Sequence, residues 1–466
     1  MKKFLVLFLV VTLILSLCAC GKSDESGEAQ TDALQVGWGR ENITPEFSVG
    51  LGGFSDSETR RSKGFLDYIY ITCLAFTEAE QTILLFTFDN CAAGQAVVNK
   101  MRDSVTDATG IAGDHIYVLA THTHSAPSIT NDEAGIQYQD LLYSSAVKAA
   151  QNALADRSAA TTYSTTTKIE GMNFVRHYVM EDGTYVGANA GTYDTSKFTA
   201  HATETDPQMV LIKFDRADEA KQDILLVNWQ AHPASATENG YNSISADFPG
   251  PLRTKVEKET NLLCAYFTGA SGNQTPDSLI KSERHYLSVK QYGEKLADHA
   301  IAALQGLVPA QGSGIKTSQF IFDAEIDHSW DNMLDQANEV YDVWKSEGKE
   351  AGDFLGAKYN FTSVYQARAI KARASMEQMQ PLELNAFSID GIGFTTGTYE
   401  MFSDAGLYIK ANSPFEITVV CTGNSGYIPS AAAYDYRSYE SDTGYFAKGT
   451  AEKLAEKYVE LLNQVK

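Results

Sequence analysis

The chain is short of positive charge, of paired cysteines and of the common catalytic signatures, and each shortage removes a class of function. Lysine and arginine total 37 against 59 aspartates and glutamates, giving a net charge of −22 at pH 7. Such a surface argues against nucleic acid as a partner and against an electrostatic grip on anionic lipid. Six cysteines are present, none in a C-x-x-C pair, so a zinc ribbon is disfavoured. Cys73, Cys91, Cys264 and Cys421 are scattered through apolar, strand-like runs. There a buried small hydrophobe is the default, and disulfide pairing stays open. No H-E-x-x-H, G-x-S-x-G or Walker loop occurs, and Gly37-Trp38-Gly39 lacks the third glycine of a dinucleotide fingerprint. No internal repeat is visible, and no long linker follows residue 34.

What is present begins at the N-terminus. Met1-Lys2-Lys3 leads into an apolar run over residues 4–17 and then Leu17-Cys18-Ala19-Cys20-Gly21. A basic start, a short apolar core and small residues before a cut site describe a secretory signal rather than a membrane span. The ending resembles a bacterial lipobox. The expectation is a signal over residues 1–19, a lipid on Cys20 and a solvated tether over residues 20–34, anchoring the protein to the outer face of the bacterial cell membrane. Cleavage would remove Lys2 and Lys3 and leave the body more acidic still.

Beyond the tether, strand-like and helix-like runs alternate. Residues 68–76, 82–88, 115–120, 209–214, 224–231, 263–267, 384–389, 393–396 and 416–421 read as strands. Residues 94–105, 138–154, 251–260, 287–304 and 451–462 read as helices. Residues 330–380 turn charged and helix-favouring, suggesting an inserted helical segment. The pattern predicts an α/β layered domain over residues 35–466, with a mixed sheet flanked by helices and ligands gathered at the carboxyl ends of strands.

Four of those strand exits carry metal-binding side chains. His122 and His124, two of only nine histidines, follow the run ending at Ala120. In an extended backbone, residues i and i+2 face one side, which would turn Thr123 away. The second exit ends in His232. The third ends in Glu400, which reads as a helix start, and the fourth in Tyr427. Each residue alone has an ordinary structural use, as a bonded core histidine, a helix-start charge or a packing tyrosine. Their shared position is what points to chemistry.

The ordered set of segments resembles the catalytic domain of the neutral/alkaline, non-lysosomal ceramidase family. It comprises Gly37-Trp38-Gly39-Arg40, Ile43-Thr44-Pro45, Gly52-Gly53-Phe54 and Thr121-His122-Thr123-His124-Ser125-Ala126-Pro127. It continues through His232-Pro233, Ser245-Ala246-Asp247-Phe248-Pro249-Gly250 and Gly269-Ala270-Ser271-Gly272-Asn273-Gln274-Thr275-Pro276. Glu400, Gly426-Tyr427-Ile428-Pro429 and Tyr439-Glu440 complete it. The resemblance implies one zinc ion per chain, held by His122, His232, Glu400 and Tyr427. It also implies His124 as proton carrier, with Arg176 and Tyr439 stabilising an oxyanion. The implied reaction is hydrolysis of the N-acyl amide of ceramide or a related lipid to fatty acid and amine by a metal-activated water.

Three departures mark the chain. Thr275 stands where the family usually has a serine proposed as nucleophile, and Asn273 where aspartate is common. The immunoglobulin-like domain that follows in full-length family enzymes has no counterpart before Lys466. These leave two alternatives open: an amidohydrolase for a non-ceramide N-acyl substrate, or a non-catalytic lipid-anchored binding protein on the same fold.

Overall fold

The computed structural model describes residues 33–54, 59–187, 193–236, 240–312, 314–423 and 425–466. The expected signal, Cys20 and all of the tether but residues 33 and 34 lie outside the described residues. Eight strands carry the larger sheet: β1 (Gln35–Asn42), β2 (Tyr70–Glu78), β3 (Gln81–Phe88), β4 (Ile116–Ala120), β5 (Ser158–Lys168), β6 (Gln208–Arg216), β7 (Ile224–Trp229) and β8 (Leu263–Thr268). They lie in the order β8-β7-β6-β5-β1-β2-β3-β4, and Val308–Pro309 adds a short ninth strand against β5. β3–β4 and β7–β8 are parallel and the other neighbours antiparallel. The sheet curls until its end strands approach. Thr87 Oγ1 donates to the Tyr266 carbonyl, and Thr268 Oγ1 to the Thr121 carbonyl, both at 2.7 Å. Strand exits from opposite ends of the sheet thereby become neighbours.

The large mixed sheet flanked by helices expected from the sequence is present, and a smaller sheet packs against it. Strands β9 (Ile315–Glu325), β10 (Met379–Ile389), β11 (Ile392–Gly397) and β12 (Thr418–Thr422) form a second sheet in chain order. Phe387, Phe394 and Val419 from it share one core with Phe214, Leu226 and Phe267 of the first. Asn228 Nδ2 bonds the carbonyls of Phe267 and Val420, both at 3.1 Å, tying the sheets together beside their exits. Near-continuous apolar strands such as Ile224–Trp229 follow from this, since both faces are covered.

Helices cover the outer faces. α1 (Gln95–Thr109) and α2 (Glu133–Ala155) lie over β1–β4, while α3 (Pro249–Thr260) and α4 (Val289–Ala303) lie over β6–β8. Ser288 closes a capping box with Gln291 at the start of α4. Between β9 and β10 stand three further helices, α5 (Leu334–Glu347), α6 (Lys349–Lys358) and α7 (Val364–Arg373), with a small core of their own. α8 (Ser403–Asn412), the short α9 (Tyr439–Thr443) and α10 (Thr450–Gln464) follow, α8 and α10 backing the second sheet. The layers run helix, sheet, sheet, helix.

Gly37-Trp38-Gly39 has a packing explanation. A Cβ on Gly37 would sit 1.9 Å from the Ala153 carbonyl oxygen, and one on Gly39 2.0 Å from that of Ala149. Only glycine lets α2 lie this close to β1.

One ion pair braces the first strand exit. Arg253 of α3 clasps Asp89 through both guanidinium nitrogens at 2.9 and 2.6 Å, and both residues are buried. Asp89 also accepts from the Tyr70 amide and from Thr121 Oγ1, one residue before His122. Arg253→Ala would strand a buried carboxylate, a change worth about 3–5 kcal/mol. A denaturant titration should show that loss, and a drop below about 1 kcal/mol would mean the pair is not a brace.

Candidate metal centre

His122 stands two residues past β4, His232 three past β7, Glu400 three past β11 and Tyr427 five past β12. The structure brings the first three together: His122, His232 and Glu400 each offer a ligand atom within 4.8 Å of the others, and all three are buried. Nε2 of His122 lies 2.8 Å from Nε2 of His232, and the two lie 3.3 and 3.7 Å from Glu400 Oε2.

The tautomers are set by backbone. His122 Nδ1–H donates to the Cys91 carbonyl at 2.5 Å, and His232 Nδ1–H to the Ser271 carbonyl at 3.0 Å. With those protons committed, both Nε2 atoms present lone pairs to each other and to a carboxylate oxygen that has no hydrogen-bond partner among the described residues. Three converging acceptors demand a positive charge at their centre. Burial opposes charge on His122, yet the negative charge of Glu400 outweighs it and pushes its pKa up to about 10, a proton on Nε2 being the simplest positive charge the group can take. The donor set of two imidazoles and a carboxylate suits a divalent ion.

Two expectations about local backbone need correction. His122 is not extended: its φ is +69°, the left-handed region, because the chain leaves β4 at Ala120 and turns. The i, i+2 argument therefore fails in its premise, although the two rings still converge, with His124 Nε2 3.2 Å from His122 Nε2. Thr123 does turn away, donating to the Ser245 carbonyl at 2.8 Å. Nor does Glu400 open a helix. Glu400–Met401 forms a two-residue parallel bridge with Tyr427–Ile428, and α8 begins only at Ser403. That bridge sets Glu400 directly beside Tyr427, joining the third and fourth exits.

His124 does not join the three-residue group; it falls with Cys91 and His122 instead. Burial, followed by the positive charges of His122, Arg176 and Arg60, holds its pKa well below the usual histidine value. Its main chain is pinned from two sides: its amide donates to the Pro233 carbonyl at 2.9 Å, and its carbonyl accepts from Arg60 Nη1 at 2.7 Å. Gly53, at φ +94°, lies against its ring, where an added Cβ would come within 2.6 Å of His124 Cγ. Gly53→Ala should thus displace the ring and lower turnover by roughly tenfold or more while bound metal is unchanged. Full turnover in that variant would show that the close approach is incidental.

Arg176 is bonded to Tyr427. Its Nη2 donates to the Tyr427 hydroxyl at 3.0 Å and to the Gly272 carbonyl at 2.9 Å, and its Nε to Glu440 at 2.7 Å. Glu440 also takes a bond from His177 Nε2 at 2.8 Å. Burial alone would raise the Glu440 pKa, but Arg176 and His177 bring it down to about 2. Tyr427 and Tyr439 meet edge to face at 6.1 Å, and burial pushes Tyr439 up to about 12. Thr275 pairs with Phe174 in a short strand that follows the His232 contact, the His232 amide donating to the Gln274 carbonyl. Asn273 clasps Ser403 at the start of α8, bonding its amide and its hydroxyl.

Sequence reasoning missed the carbonyls of Cys91 and Ser271, which carry no side-chain signal, as well as Arg60 and His177. Cys91 is the exception to the expectation of inert core cysteines: it sits past β3 with Sγ 3.9 Å from His122 Nδ1, while Cys73, Cys264 and Cys421 are buried and all four are free.

The profile of the family described as neutral/alkaline non-lysosomal ceramidase, N-terminal, matches residues 34–273. The chain belongs to this family. Among solved structures it is similar to the neutral ceramidase from Pseudomonas aeruginosa, with a TM-score of 0.67 at 14% identity over 92% of this chain and 74% of that one. It is also similar to a ceramidase complexed with C2, with a TM-score of 0.66 at 15% identity over 92% and 75% of the two chains. At such identities the likeness is one of fold. Among curated proteins none matches the sequence.

Proposed function

We propose that the protein is a zinc-dependent amidohydrolase that cleaves the N-acyl amide of ceramide or a closely related lipid. The observation that carries this reading is the buried convergence of His122 Nε2, His232 Nε2 and Glu400 Oε2, with both Nδ1 atoms held by backbone carbonyls. Family membership supplies the reaction class. His122, His232, Glu400 and Tyr427 would hold the metal. Zinc bound there supplies Lewis acidity toward a carbonyl oxygen and a water whose pKa falls toward about 7. His124, neutral and beside the group, takes a proton from the attacking water and hands it to the departing amine. Arg176, locked in orientation by Glu440, and Tyr439 donate hydrogen bonds to the oxygen that gains charge at the tetrahedral stage.

Thr275 has a smaller role. Its hydroxyl is secondary and rotamerically stiff. We assign it a hydrogen bond to substrate or water and no covalent step. Thr275→Ala should keep its metal and lose about 1–2 kcal/mol of transition-state stabilisation, roughly ten- to thirtyfold in rate. Mass spectrometry that trapped an acyl group on Thr275 would replace this role with a covalent one.

The same reading places the enzyme on the outer face of a bacterial membrane through a lipid on Cys20, where a membrane-borne amide is within reach. The deciding experiment presents purified protein with a panel of N-acyl amides, ceramides of several chain lengths included. Release of fatty acid and amine from at least one is expected. A metal-loaded protein inert toward the whole panel would favour a binding protein on the same fold.

A further inference from the structure

Helices α5–α7 take no part in the chemistry just proposed, yet they grip the stretch that carries Tyr439 and Glu440. We infer that these helices act as a positioning clamp for that stretch, and that Arg437 is the positioning residue through which the clamp acts. The inference rests on the proposed hydrolase reading, because it concerns how two of its oxyanion-side groups are held.

The contacts converge on a few residues. Arg437 Nη2 donates to the Asn360 carbonyl and to Gln366 Oε1, both at 3.0 Å, and lies 3.6 Å from Asp442 Oδ2. Its guanidinium rests over the Trp330 ring at 5.0 Å, just ahead of α5. Gln366, fully buried in α7, also accepts from the amide of Thr362 at 2.8 Å, and Thr362 Oγ1 bonds Asp442 at 2.5 Å. At the far end of the stretch Arg373, the last residue of α7, donates to the Gly444 carbonyl at 2.9 Å. Between these grips lie Tyr439, which Tyr365 of α7 meets edge-on at 5.9 Å, and Glu440, which orients Arg176.

The backbone agrees. Arg437 has φ +53°, a left-handed conformation that long side chains adopt at a cost and keep only when their surroundings fix it. Here the fixing contacts come from the inserted helices and from Asp442. Releasing Arg437 would let the turn before α9 relax toward ordinary angles, shifting Tyr439 directly and Arg176 through Glu440. Both groups act on charge that exists only in the transition state, so the loss should fall on kcat and leave KM almost untouched.

The test uses the full-length, metal-loaded chain. Arg437→Ala should lower kcat roughly tenfold or more, keep KM within about twofold and retain its metal, with Arg437→Lys recovering part of the rate. Combined with Tyr439→Phe, its effect should be smaller than the product of the two single effects, because both changes spoil the same donor. Lys371→Ala, in α7 but turned toward Tyr341, should leave kcat unchanged. Independently of substrate, amide hydrogens of residues 438–444 should exchange faster in Arg437→Ala than in wild type. Effects that simply multiply, or exchange that does not change, would overturn the clamp. If the wild type hydrolysed no N-acyl amide, the hydrolase reading itself would fail, and the exchange measurement would decide the clamp alone.

Discussion

Glu400→Gln protein is expected to bind zinc on the order of 10²–10³-fold more weakly than wild type and to lose activity in proportion to the metal it lacks. The change is nearly isosteric, so packing is preserved. What it removes is the single formal negative charge among the three converging ligand atoms, from a carboxylate whose Oε2 has no hydrogen-bond partner among the described residues. If a four-ligand zinc site is worth about 10–16 kcal/mol in total, one ligand carries roughly 3–4 kcal/mol, which converts to that range. His122→Ala and His232→Ala should behave alike, and saturating zinc should partly restore Glu400→Gln more readily than either. Isothermal titration with zinc checks all three. Wild-type affinity in Glu400→Gln would remove Glu400 from the centre.

The second large effect separates chemistry from metal binding. His124→Ala should keep one zinc per chain and lose about 10²–10⁴ in kcat, the usual worth of a proton carrier. Its Nε2 is only 3.2 Å from that of His122, close enough that a ligand role has to be tested rather than assumed. Elemental analysis makes the distinction. Zinc lost from His124→Ala and kept in His122→Ala would exchange the two roles.

Much of this arrangement was legible in the sequence, for reasons that can be named. The apolar strands Gln81–Phe88, Ile116–Ala120, Ile224–Trp229 and Leu263–Thr268 are buried on both faces, so their composition announces them. The candidate ligands stand just past strand ends, which is where open α/β folds gather their chemistry. By contrast, β5, Ser158–Lys168, went unrecognised: seven of its eleven residues are serine or threonine, and its faces alternate between cover and exposure. β9, Ile315–Glu325, has exposed positions along most of its length and failed for the same reason. The split into two facing sheets was also out of reach, because apolar periodicity says which face is buried and not what it is buried against.

At the site, position and side-chain type singled out His122, His232, Glu400 and Tyr427 as candidates, while the way the first three come together and Tyr427 is set beside Glu400 stayed hidden. The left-handed turn at His122 and the Glu400–Tyr427 bridge depend on contacts with distant segments. The family match ends at residue 273. Glu400, Tyr427 and Tyr439 are candidates by placement: Glu400 beside His122, Tyr427 bonded to Arg176 and Tyr439 against Tyr427.

The central claim, that one zinc held by this group is required to hydrolyse an N-acyl amide, can be tested in a single titration. Protein stripped by a chelator is returned to zinc in small steps while fatty acid release is followed on the best amide of the panel. Activity should be absent at the start, rise linearly and break at one zinc per chain. Full activity in the stripped protein, or no recovery at any zinc level, would contradict it.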